Sequence, residues 1–86
     1  MNSSDRTLGN KHHVDYYSPE DGGGKKEEGN WKNGKRDGHW TYWYDNGQKK
    51  RAGNLSDGKQ DGTWTWWNEN GNITKTETYK DGVEVQ

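Results

Sequence analysis

Residues 29–52 read Gly29-Asn30-Trp31-Lys32-Asn33-Gly34-Lys35-Arg36-Asp37-Gly38-His39-Trp40-Thr41-Tyr42-Trp43-Tyr44-Asp45-Asn46-Gly47-Gln48-Lys49-Lys50-Arg51-Ala52, and residues 53–76 repeat them. Eleven of the 24 positions are identical between the copies, among them Gly29/Gly53, Gly34/Gly58, Gly38/Gly62, Trp40/Trp64, Trp43/Trp67 and Gly47/Gly71. A fixed period that keeps four glycines and two tryptophans in register marks a repeat architecture. Each copy carries two turn signals, Asn33-Gly34 or Asp57-Gly58 and Asn46-Gly47 or Asn70-Gly71. Such pairs supply the positive φ that tight hairpins demand. Between them His39–Tyr44 and Thr63–Asn68, dense in Trp, Tyr and Thr, predict strands, and Gln48–Leu55 and Asn72–Tyr79 predict returning strands. Turn residues recur too often for a helix of ten residues. The expected fold class is therefore all-β: an antiparallel meander that adds one hairpin per repeat and forms a single-layer sheet.

The pattern weakens away from this centre. A third copy begins at Glu77 and stops early, with Tyr79 standing where Leu55 and Trp31 stand. A worn half-copy precedes the first, where Tyr17, Asp21-Gly22-Gly23, Lys25-Lys26 and Gly29-Asn30 echo Trp43, Asp45-Asn46-Gly47, Lys49-Lys50 and Gly53-Asn54. Residues 1–28 hold few apolar groups, the sole Pro19 and the run Gly22-Gly23-Gly24. They read as a flexible N-terminal segment, leaving residues 29–86 as the repeat domain (29–52, 53–76 and a partial 77–86).

Composition bounds the rest. Of 86 residues only 22% are apolar, and Trp 6 with Tyr 5 and no Phe carry most of that surface. That is too little for an ordinary globular core and favours a shallow sheet completed by a partner. Lys+Arg 13 against Asp+Glu 14 leaves a net charge of −1, without the basic excess that drives binding to DNA, RNA or anionic lipid. The absence of Cys excludes disulfides, thiolate metal sites and cysteine nucleophiles. The longest apolar run, Tyr42-Trp43-Tyr44, is far short of a signal peptide or membrane span. The expectation is a soluble, cytoplasmic protein.

Strand alternation places Trp40, Tyr42 and Tyr44 with Trp64 and Trp66 on one face, and Thr41, Trp43, Thr65 and Trp67 on the other. A bulge between Trp40 and Trp43 would reverse the second assignment. One reading makes Trp43 and Trp67 a stabilising ladder. The other makes them an exposed binding strip, because a single layer cannot cover both its faces. Candidate partner-binding residues are accordingly Trp43, Trp67, Thr41 and Thr65, with Lys49 and Arg51 of the basic run as the part that meets an acidic surface. The same run also suits a solvated strand edge that discourages aggregation. His12-His13 lack the spacing and third partner of a metal site and read as part of a soluble tail. Asp37 and Asp61, each before a glycine, read as turn-capping carboxylates. Gly22-Gly23-Gly24-Lys25-Lys26 lacks the context of a phosphate loop. No nucleophile and base can be paired, so neither catalysis nor a cofactor is expected.

Glu28–Gly38 resembles the core of a MORN repeat, and its continuation His39–Gly47 resembles the bacterial variant of that repeat, a form associated with antitoxins of toxin–antitoxin systems. The resemblance covers about residues 28–83. It implies a stack of hairpins in an elongated, curled sheet that serves as a scaffold for protein contacts and, in some members, touches phospholipid. The function expected is a non-enzymatic module of the antitoxin, immunity or inhibitor type, gripping one protein, such as a toxin or other target enzyme, through aromatic strands and a sheet edge. Glycan stacking on exposed Trp is the alternative, with peripheral phospholipid binding behind it. No DNA partner and no stable membrane insertion are expected, while the free sheet edges suit a homodimer.

Overall fold

In the computed structural model, described for residues 10–85, seven strands follow one another across one sheet. They are β1 (Asn10–Tyr16), β2 (Lys25–Lys32), β3 (Lys35–Trp43), β4 (Lys49–Ser56), β5 (Lys59–Trp67), β6 (Ile73–Lys80) and β7 (Val83–Val85). Each pairs antiparallel with the next, and the sheet stays open, with β1 and β7 as its edges. The body measures 49 × 40 × 11 Å. Two stacked sheets alone lie about 10 Å apart before outer side chains are added, so 11 Å is one layer. The all-β meander expected from the period is thus present. The only helical residues described are the 3-10 turn Pro19–Asp21.

The boundary drawn at residue 28 does not hold. Residues 10–16 and 25–28 are strand, and β1 pairs with β2 from Asn10↔Lys32 to Tyr16↔Lys25. His12 and His13 therefore sit in a sheet and not in a tail. His13 stacks against Trp40 with ring centroids 5.7 Å apart, and its Nε2 lies 3.0 Å from Glu27 Oε2. Asn10–Tyr16 offers little β-forming pattern of its own, so its pairing with β2 decides its conformation. Residues 1–9, where flexibility was also expected, lie outside the described residues.

Two kinds of turn alternate. Asn33-Gly34, Asp57-Gly58 and Asp81-Gly82 are two-residue loops with positive φ at both positions, for example 57° and 84° at Asp57-Gly58. This is the primed geometry whose twist matches the strands it joins. At Tyr44–Gln48 and Asn68–Asn72 the loop is longer. The Gly47 N–H donates to the Tyr44 carbonyl at 3.1 Å, and the Tyr44 N–H donates to the Gln48 carbonyl at 2.8 Å. Only the glycine is left-handed there, which is the type I turn followed by a glycine bulge. Asp37-Gly38 and Asp61-Gly62 are not turns. They lie inside β3 and β5 at register shifts, with Gly38 at φ 81° and Gly62 at φ 80°.

The core is thin and repeats with the chain. Trp40 is fully buried, Trp64 is 2% exposed, and Leu55 completes the centre, flanked by half-buried Trp31, Tyr42, Trp66 and Tyr79. Each central indole lies over a glycine of the preceding strand, Trp40 over Gly29 and Trp64 over Gly53, where any Cβ would overlap the ring. The indole N–H groups donate to the carbonyls of Asn30 at 3.1 Å and Asn54 at 2.8 Å. The third copy carries Glu77 in this glycine position, opposite Trp64, because the short β7 brings no tryptophan to cover it.

Candidate functional site

Register fixes what each face displays. One face carries the rings His13, Trp31, Trp40, Tyr42, Trp64, Trp66 and Tyr79, in which successive centroids are 5.7–6.5 Å apart. Cations lie over these rings. Arg36 is 4.8 Å from Trp40 and 5.0 Å from Trp31, Arg51 is 4.5 Å from Tyr42, and Lys75 is 4.3 Å from Trp66. Such stacking leaves Arg51 and Lys75 exposed on the apolar surface, whereas Arg36 is half-buried with its Nε shielded from solvent. Burial pushes the Tyr42 phenol above its usual value.

The opposite face is polar apart from one aromatic row. Trp67 lines a hollow of about 210 Å³ with His39, Lys49, Ala52, Asn54, Thr63 and Thr65. By the matching register, Trp43↔Lys49 and Trp67↔Ile73, Trp43 holds the corresponding place in the earlier repeat. Both are half-buried, each with a lysine at 5.7 Å from its ring, Lys25 at Trp43 and Lys49 at Trp67. The bulge that would have reversed this assignment falls on the partner strands. Tyr42 faces Arg51 and Trp43 faces Lys49, so the extra residue is Lys50. Alternation in β3 and β5 survives.

The six residues expected to form one surface therefore divide. Trp43, Trp67, Thr65 and Lys49 share the polar face, where Thr41 is also placed but only 9% exposed. Arg51 is on the aromatic face, over Tyr42. Tyr44 lies beyond β3 in the loop, and its hydroxyl donates to the Trp67 carbonyl at 2.8 Å. Tyr17 does the same for Trp43 at 2.7 Å, and Lys26 over Tyr17 matches Lys50 over Tyr44. Tyr17 is thus the counterpart of Tyr44, and Tyr16, paired with Lys25, is the counterpart of Trp43. Sequence reasoning missed Tyr42, Trp66, Arg36 and Lys75 as candidates. The 24-residue spacing of Arg51 and Lys75 beside their rings was the available signal.

At the β1 end, carboxylates hold the cations. Arg36 Nη2 lies 3.3 Å from Glu27 Oε2, while Glu28 meets Lys25 Nζ and His12 Nε2, each at 2.8 Å. The Lys25 hydrogen bond holds the Glu28 carboxyl below its usual range, and Glu28 in turn raises Lys25. Among the described residues no three His, Asp or Glu side chains converge as a metal site. No helix there is long and apolar enough to cross a membrane.

Residues 36–57 and 60–81 each match the MORN repeat variant family, and together the matches cover half of the chain. The chain belongs to the MORN repeat variant family. The two matched MORN units are β3–β4 and β5–β6 with their loops, the part of the sheet in which both faces repeat most closely. MORN repeats are binding motifs for proteins, lipids and membranes. Neither the curated proteins nor the solved structures gave a match to the chain.

Proposed function

We propose that this MORN-repeat chain is a non-enzymatic protein-binding module of the antitoxin, immunity or inhibitor type, which grips and blocks one partner protein. The observation that supports this reading is the single layer. No second layer covers either face among the described residues, and half-buried Trp43 and Trp67 stand in a row with Lys49 between them and Thr65 two residues along β5. Large aromatics at the centre of a polar surface are the usual anchors of protein interfaces. The test is capture of the partner from native host extract by the immobilised chain, followed by calorimetric titration with that purified protein. A one-to-one complex is expected, and Trp43→Ala or Trp67→Ala should each weaken it by about 2 kcal/mol or more. Recovery of no partner, or a complex indifferent to both substitutions, refutes the assignment.

A second reading rests on the same hollow. Trp67 flanked by His39, Asn54, Thr63 and Thr65 combines a ring with hydrogen-bonding side chains, which suits a sugar. Tryptophan fluorescence titration with polysaccharides separates the two, since only this reading expects saturable quenching that Trp67→Ala abolishes.

A further inference from the structure

On the aromatic face one row crosses the strands in register. Tyr42 on β3 pairs with Arg51 on β4, Arg51 with Trp66 on β5, and Trp66 with Lys75 on β6. Rings and cations alternate, the rings half-buried and the cations exposed. Arg51 lies over Tyr42 at 4.5 Å and Lys75 over Trp66 at 4.3 Å. A guanidinium stacked in this way keeps its N–H edge outward and available. Arg51 makes no ion pair among the described residues, and the carboxylate nearest Lys75, on Glu77, is 3.8 Å away. Arg36 differs, being engaged by Glu27. Beside the row, Arg36, Tyr42, Arg51, Leu55, Gln60 and Trp64 line a hollow of about 210 Å³.

Arg51 and Lys75 hold the same position in successive repeats and are separated by two strand spacings, about 9.6 Å at roughly 4.8 Å per strand. A polyproline II segment advances about 9.3 Å in three residues. We propose that this row is the docking site for an extended, proline-rich acidic segment of the partner protein. The segment lies across the strands, places carboxylates three residues apart on Arg51 and Lys75, and rests its prolines on Tyr42 and Trp66. Charge complementarity selects this occupant, because Arg51 makes no ion pair among the described residues, Lys75 has only the 3.8 Å contact with Glu77, and Trp66 stands between the two cations in the row. The inference rests on the protein-binding reading and adds the chemistry of the partner.

Fluorescence titration of the full chain tests it with three synthetic peptides: Pro-Pro-Glu-Pro-Pro-Glu-Pro-Pro, Pro-Pro-Pro-Glu-Glu-Pro-Pro-Pro of equal charge, and the spaced peptide with Gln for Glu. The spaced acidic peptide should bind about tenfold tighter than the other two. Arg51→Gln and Lys75→Gln should each weaken it by a similar factor, with unchanged circular dichroism. Equal binding of both acidic peptides, no binding, or indifference to both substitutions overturns the proposal. So does capture of phosphatidylserine vesicles through Arg51 and Lys75 without peptide binding, which would assign the row to lipid headgroups. A captured protein partner that ignores both substitutions would remove this inference while leaving the protein-binding function standing.

Discussion

Gly53→Ala isolates the contact on which the repeat is built. The new Cβ would lie 2.5 Å from Trp64 Cε2 and no farther from Cγ and Cδ2, where ordinary contact begins near 3.4 Å. Gly53 has no positive φ, so alanine meets no backbone strain there, and the lower entropy of its unfolded chain favours folding by about 0.4–1 kcal/mol. The steric term opposes this. Ejecting the indole would forfeit burial of about 200 Å², roughly 5 kcal/mol at about 25 cal/mol/Å². It would also break the 2.8 Å bond from Trp64 Nε1 to the Asn54 carbonyl, worth about 1 kcal/mol. Shifting ring and strand apart by roughly 1 Å is cheaper, at about 1–3 kcal/mol for overpacking. The expected net loss is about 1 kcal/mol, the overpacking cost less the unfolded-state gain, read as a lower midpoint in urea melts followed by tryptophan fluorescence. A Gly53→Ala chain as stable as its parent would refute the steric account of the repeat glycine.

Two pH effects follow from named pairs. Glu28 titrates below its ordinary 4.5 because Lys25, and then His12, hydrogen-bond its carboxylate. The unfolded chain therefore takes up the proton first, so the stabilisation is complete above that value and is lost as pH falls through the lower folded one. Urea midpoints measured from pH 6 to pH 3 should decline, and Glu28→Gln should flatten that part of the decline. The Tyr79 phenol is pushed up to about 12 by its 2.6 Å hydrogen bond to Glu77 Oε1, with burial and the charges of Glu77 and Glu84 adding. Its contribution is full below the ordinary 10.0 and disappears as pH rises through about 12. Ultraviolet titration should show Tyr79 ionising late alongside Tyr17 and Tyr42, whose phenols burial also raises, and Glu77→Gln should bring the Tyr79 ionisation earlier.

The repeat also explains why so little apolar material suffices. Each 24-residue unit brings one tryptophan that closes on the glycine with which that unit begins, and tyrosine hydroxyls tie neighbouring units at Trp43 and Trp67. The two-residue turns add a further tie. The Gly58 N–H donates to the Arg36 carbonyl at 2.8 Å, and Gly82 N–H to the Gln60 carbonyl at 2.9 Å. The core is thus a chain of local contacts, which grows with the number of repeats instead of converging on one centre.

By itself the sequence determined the meander. Asn33-Gly34 and Asp57-Gly58 demand positive φ wherever they stand, and their 24-residue recurrence sets the rhythm of strand and turn without help from distant residues. Tertiary structure decided the rest. Asn10–Tyr16 became a strand only by pairing with β2, which set His13 against Trp40 and left His12 exposed beside Glu28. The faces, too, were settled by pairing. Lys49 and Arg51 are two residues apart and would share a face in a regular strand, yet the bulge at Lys50 sets one beside Trp67 and the other over Tyr42. A bulge is a mismatch of count between two strands, so no pattern within either one reveals it.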